Sequence, residues 1–195
     1  MTYVLVSLAG DKATQDADRF ARWFAERHPP TAAYHETHPA HPTVRDAVRE
    51  TGAALVFAHD GGGSVRSVRG GPRWADAREF AGIFQAARVW VYACDTRSVE
   101  VEADLTSFGR LAREEGVGVF AGHCGEVTLP SLPPLRNTME AMYQGLDRAF
   151  LAFLEGENEE QALRGAALGG VPRGRAAVYV TPYVERAMQT LRVLP

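Results

Sequence analysis

The sequence predicts an α/β fold: a mostly parallel, six-stranded sheet with helices on both faces. Three observations predict it. Short β-branched or apolar runs alternate along the chain with segments of helical period, the order of a parallel sheet whose crossovers are helices. The first run, "TYVLVSLA", holds no charge, as suits a strand buried on both sides. A chain of 195 residues with 46% hydrophobic and 23% charged content suits one well-buried core, so residues 1–195 are expected to form a single domain.

The elements follow in order. After the first strand, 2–9, Ala17, Phe20, Ala21 and Phe24 fall at the i, i+3, i+4, i+7 spacing of one helix face, and Pro29-Pro30 stop the helix. "TAAYHET" is the second strand. Pro42 suits the first turn of a short helix to about Glu50, and "AALVFAH", 53–59, is the third strand. Two alternating runs around Gly70-Gly71 predict a small hairpin. A helix through Phe80, Ile83 and Phe84 leads to "ARVWVYAC", 87–94, the fourth strand. A helix through Leu105, Phe108 and Leu111 then leads to "VGVFAG", the fifth. "EVTLPSLPPLR", 126–136, with three prolines, is the longest irregular segment and a candidate lid. The stripe Met139, Met142, Tyr143, Leu146, Phe150 and Phe153 predicts a long helix packed on the core, followed by a second over 158–168. "RAAVYVT" is expected to be the sixth strand, and Val184, Ala187, Met188 and Leu191 mark a last amphipathic helix.

Charge and composition exclude several partners. The net charge is −3, and the arginines, with Lys12 the one lysine, are scattered among acids rather than gathered on a face, which argues against nucleic acid. The first residues lack a basic leader, and no apolar stretch reaches membrane-span length, so the expected location is the cytoplasm and no membrane partner is expected. The arginine and alanine bias fits a GC-rich, bacterial source. Two cysteines, Cys94 and Cys124, are too few for a disulfide framework and are expected to be free thiols.

Ligands and catalytic groups of open α/β sheets collect at the carboxyl ends of the strands. His59 closes the third strand and Cys94 the fourth, 35 residues apart, about one strand-helix-strand unit. On neighbouring strands, about 4.8 Å apart, the two side chains would share one small volume. A free thiol with a pKa of about 8.5 needs such an imidazole to reach the thiolate, and the same imidazole can protonate a leaving amine. Gly61 to Gly63 allow main-chain N–H groups to approach an oxyanion, with the N–H of Cys94 as a second donor. Taken singly, the histidine is a polar strand cap and the cysteine an inert small hydrophobe. Together at one sheet edge they point to nucleophilic catalysis.

The segments "LVFAHDGGG" and "VWVYACDT" resemble the caspase-like cysteine peptidases, and within them the CHAT type related to separase, in which a strand ends in His-Gly and the next leads into "SAC-x-T". "FGRLAREEGVGVFAG" is similar to that family's helix and following strand, and "TMEAMYQGLDRAFLAFLEGENEEQALRGAAL" to its two C-terminal helices, the joint being Gly156 to Leu163. The resemblance spans about residues 42–168. It implies a caspase-like three-layer sandwich and a cysteine endopeptidase, with His59 as general acid/base, Cys94 as nucleophile, and the backbone of Asp60, Gly61 and Cys94 as oxyanion hole. It implies a peptide or protein substrate, no cofactor and no metal. Asp60 stands where the family usually has Gly, so the oxyanion loop is expected to be shifted by one position or reshaped. "GHCGEV" replaces a Leu-Trp stretch followed by acids, leaving Glu126 and Asp95 as the acids that would select a basic side chain. Many relatives carry sensor domains and this chain does not, so regulation is expected from a separate protein partner or from self-association.

An inactive or ligand-binding interaction module on the same fold is the alternative reading. His35, His38 and His41, three apart around Glu36, would line one helix face, but Pro39 and Pro42 make a solvated loop the expectation there rather than a metal site. "HDGGGSVRS" lacks the residue order of a phosphate-binding loop. His123-Cys124 point to opposite sides of an extended chain, so they cannot pair with each other, and one of them is expected to line the pocket. Asp11 or Thr14 reads as a helix cap.

Overall fold

The charge-free run at the start of the chain forms β1 (Val4–Ser7), every residue of which is buried. The computed structural model describes residues 1–60, 63–93, 101–123 and 136–195, and of Asp60, 101–107 and 136–138 it describes the backbone alone. β1 is followed by α1 (Lys12–Arg27), β2 (Ala32–His35), α2 (His41–Thr51) and β3 (Ala53–Asp60). A hairpin of β4 (Ser64–Arg66) and β5 (Arg73–Asp76) leads into α3 (Ala77–Ile83), β6 (Arg88–Ala93), α4 (Val101–Glu114) and β7 (Val119–His123). The chain continues through α5 (Arg136–Leu154), α6 (Glu160–Gly170), α7 (Arg175–Gln189) and β8 (Leu191–Leu194). The sheet has the order β2-β1-β3-β6-β7-β8, parallel from β2 to β7 and antiparallel at β8, with the hairpin joined antiparallel to the end of β3.

Strand alternation sorts the core onto the two faces of this sheet. Tyr3 and Leu5, Leu55 and Phe57, Trp90 and Tyr92 pack with α1, α5, α6 and α7. Val4 and Val6, Val56 and Ala58, Val91 and Ala93 pack with α2, α3 and α4. The first face is aromatic: Phe150 of α5 lies 5.6 Å from Phe20, stacked, and meets Trp90 edge-on at 4.6 Å. The Met and aromatic stripe of α5 is core packing. No helix of the described residues is long and apolar enough to cross a membrane.

The segment 175–181, expected to be a strand, is the first half of α7. On a strand Val178 and Val180 would share a face, yet Val178 is 73% exposed while Val180 is buried. Val180, Val184, Ala187 and Met188, at helical spacing, turn one apolar stripe to the core, and that burial outweighs the β-propensity of a Val-Tyr-Val-Thr run. The strand that completes this edge of the sheet is instead β8, which begins at Leu191, the residue expected to end the last helix.

Two histidines of the 34–42 segment are not solvated. His35, on β2, donates from Nδ1 to Asp18 Oδ1 at 2.6 Å, and His41, at the start of α2, donates from Nε2 to Trp74 O at 2.8 Å. Burial opposes ionisation of Asp18, but the bonds from His35 and Arg22 outweigh it and hold its carboxyl below the usual range. His35 therefore ties β2 to α1, and His41 ties the start of α2 to β5.

Candidate active site

The order β2-β1-β3-β6 makes the gap between β1 and β3 the point where the chain changes direction across the sheet. The helix after β1 covers one face and the helix after the β3–β5 unit covers the other. Such a switch point opens a crevice at the carboxyl ends of its two strands. In this chain it is occupied by His59, from the end of β3, and Asp11, three residues past the Leu8 that follows β1.

His59 is 4% exposed. Its Nε2 donates to Asp11, at 2.8 Å from Oδ2 and 2.9 Å from Oδ1. Asp11 is also the N-cap of α1: its Oδ1 accepts from Thr14 N at 3.1 Å, and Thr14 Oγ1 accepts in return from Asp11 N at 3.0 Å, a complete capping box. Its Oδ2 accepts from the backbone N–H of Arg69, in the hairpin loop, at 3.0 Å. Partial burial works against the Asp11 charge, but the bonds from Arg69, His59 and Thr14 outweigh it and hold its pKa down to about 2. The carboxylate is ionised wherever the protein would work.

The hairpin is drawn over the β1–α1 junction by close contacts. Thr14 Oγ1 donates to Ser67 O at 2.9 Å. Gly10 lies so close that a Cβ there would stand 2.6 Å from Ser67 O and 2.5 Å from Val68 Cγ2. Arg66 holds Gly71 O across the turn and donates from Nε to Ser64 Oγ at 3.0 Å. Trp74 Nε1 donates to Pro39 O at 2.9 Å, fixing the returning strand. Residues of the hairpin pair directly with the end of β3, His59 opposite Arg66 and Asp60 opposite Val65.

Of the residues that the sequence singled out, His59 is in this crevice, and the backbone of Asp60 continues β3 into the pairing with β4. Cys94, Asp95, Gly61, Cys124 and Glu126 lie outside the described residues, as do the side chain of Asp60 and residues 126–135 of the irregular segment. The described part of β6 runs beside β3 with Phe57 opposite Tyr92 and Ala58 opposite Ala93.

His123 does not line an open pocket. It is fully buried at the end of β7, where Trp90 Nε1 donates to its Nε2 at 3.1 Å and its Nδ1 donates to Ala187 O at 3.0 Å. Burial pushes its pKa down to about 4, against the opposing pull of the bond to Ala187 O, so the ring is neutral. It is a hydrogen-bonded core residue joining β6, β7 and α7.

Asp11 is the functional candidate that sequence reasoning took for a cap and nothing more. The cap is real. The available signal was its place directly after the first strand of a parallel sheet, whose central neighbour ends in His59. The chain matches no family model and no curated protein.

Proposed function

We propose that the protein is a caspase-like cysteine endopeptidase of the CHAT type, with His59 as general acid/base and Cys94 as nucleophile. The observation that carries this reading is the buried His59 at the end of β3, held by the Asp11 carboxylate on the β1 side and flanked by β6 on the other. Ala58 precedes His59, Ala93 precedes Cys94, and Ala58 and Ala93 are register partners, which supports the pairing of thiol and imidazole.

In the proposed reaction His59 takes the Sγ proton of Cys94 as the sulfur electron pair forms a bond to the scissile carbonyl carbon. The carbonyl π pair moves to oxygen, and the resulting oxyanion is stabilised by N–H donors of the loop that starts at Asp60 and Gly61 and by the N–H of Cys94. Collapse breaks the C–N bond, and the leaving amine receives its proton from His59. Water then attacks the thioester, giving a proton to His59. The free acid departs and the sulfur recovers its proton. Asp95 and Glu126 are the acids available to favour a basic side chain before the scissile bond.

The test is labelling of the purified protein by peptide acyloxymethyl ketones with Arg, Leu or Asp next to the warhead, read by mass spectrometry at Cys94. The expected result is rapid labelling of the wild type, best with the Arg probe, that is lost in Cys94→Ala and strongly slowed in His59→Ala. Labelling of Cys94 that is indifferent to His59 and no faster than at Cys124 would overturn the peptidase and leave the interaction module.

A further inference from the structure

We infer that Asp11 is the third member of the site, a positioning residue that fixes which nitrogen of His59 carries the proton and which is left to take the proton of the thiol. This inference rests on the peptidase reading above and adds to it a residue from a different strand end.

The geometry asks more of Asp11 than a helix cap does. A cap needs one side-chain oxygen for one N–H, and Ser, Thr, Asn and Asp serve about equally. At residue 11 both oxygens are in use: Oδ1 accepts from Thr14 N and Oδ2 from Arg69 N, at 3.1 and 3.0 Å, while His59 Nε2 lies within 2.9 Å of both. An ionised carboxylate only accepts, so Nε2 must be the nitrogen that bears hydrogen at this contact. In the neutral ring Nδ1 is then the nitrogen without hydrogen, the one that can act as base. The pairing of β3 with the hairpin fixes the backbone that carries the ring, and Asp11 sets its tautomer.

Asparagine cannot reproduce this. In either amide orientation its NH₂ would face a backbone N–H, that of Thr14 or that of Arg69, and would present a donor to His59 Nε2. The better-capped orientation keeps the carbonyl on Thr14 N, where it can still accept from Nε2, while its NH₂ competes to donate to that same nitrogen, so part of the population carries its hydrogen on Nδ1, the nitrogen required as base. Serine keeps the cap and leaves Nε2 without its carboxylate. The two variants therefore preserve α1 while removing the control of His59 in different ways.

The experiment measures two quantities on wild type, Asp11→Asn, Asp11→Ser and His59→Ala, after circular dichroism has verified the fold. The first is the rate of Cys94 alkylation by iodoacetamide across pH 5–9, with Cys124 as internal reference. The second is the ¹⁵N shift pattern of the His59 ring. The expected result is an Nε2–H ring in the wild type and a mixed or Nδ1–H ring in both variants. At pH 6 Cys94 alkylation should fall at least ~10-fold in both, within the ~10⁴-fold that a wrong tautomer causes in serine triads. A cap alone would leave the tautomer and the pH profile unchanged. An Nδ1–H ring in the wild type, or variants that alkylate like the wild type while His59→Ala does not, would overturn the role of Asp11 and leave the Cys-His pair standing. A Cys94 that is unaccelerated in the wild type and indifferent to His59→Ala would remove the peptidase reading, and the role of Asp11 with it.

Discussion

Acidification should destabilise this fold through His123, and the size of the effect follows from the burial of one ring. In the folded protein the ring is neutral, its Nε2 accepting from Trp90 and its Nδ1 donating to Ala187 O, and its pKa is lowered from 6.5 to about 4. The unfolded chain therefore binds a proton near pH 6.5 that the folded chain refuses until near pH 4. Stability supplied by the neutral ring is complete above pH 6.5 and is lost as the pH falls toward 4. Each unit of separation corresponds to about 1.4 kcal/mol, so the loss reaches ~3 kcal/mol by pH 4, a large part of an ordinary domain's stability. His123→Gln supplies the comparison, since its amide can accept from Trp90 and donate to Ala187 O and does not titrate. Urea unfolding of both proteins at pH 7.5, 6, 5 and 4, followed by circular dichroism, gives the stability difference at each pH. That difference should shrink by ~3 kcal/mol toward pH 4 as the wild type loses its advantage. A difference that is flat across the range would refute the reasoning, because it would mean that the ring takes its proton without leaving the core.

Two further outcomes are expected. Gly10→Ala places a methyl 2.5 Å from Val68 Cγ2 and 2.6 Å from Ser67 O, pushing the hairpin from the β1–α1 junction. It should lower stability by roughly 1–3 kcal/mol, read as a shift in the urea midpoint, and an unshifted midpoint would contradict the close approach. Val178→Lys, at a 73% exposed position of α7, should change stability by less than about 0.5 kcal/mol and leave the helical circular dichroism intact. A loss of several kcal/mol would mean that 175–181 is a buried strand after all.

The parallel strands β1, β3, β6 and β7 were legible because each is an apolar run buried on both faces, a pattern that survives without knowledge of neighbours. The hairpin was legible from its glycine pair and short alternating runs. The second half of α7 was legible from Val184, Ala187 and Met188, but its first half was not, because Val178, Tyr179 and Thr181 carry a local β-preference that hides the continuation of the same stripe back to Val180. β8 was hidden because its first residue, Leu191, continues the helical spacing of Val184, Ala187 and Met188, leaving three residues, too few to show alternation. At the site, His59 could be read from one strand end, since a histidine after six apolar residues is conspicuous by itself. The bond to Asp11 could not, because it joins residues 48 positions apart, and only the placement of β1 beside β3 brings them together.

That placement makes ring orientation, helix cap and hairpin position interdependent. Asp11 receives hydrogen bonds from three elements, α1 through Thr14, β3 through His59 and the hairpin loop through Arg69, and each oxygen is shared between the histidine and one backbone N–H. Thr14 closes the circuit by joining the same cap to Ser67 in the hairpin. A hairpin that moved away would withdraw the Arg69 N–H and leave Oδ2 to the ring alone, changing the field at His59 without touching it. The loop from Gly61 onward, which the proposed mechanism uses for the oxyanion, belongs to the connection between β3 and this hairpin. The orientation of the His59 ring and the start of the loop after β3 are thus governed by a single junction, whose tightness depends on a glycine at residue 10 and a carboxylate at residue 11.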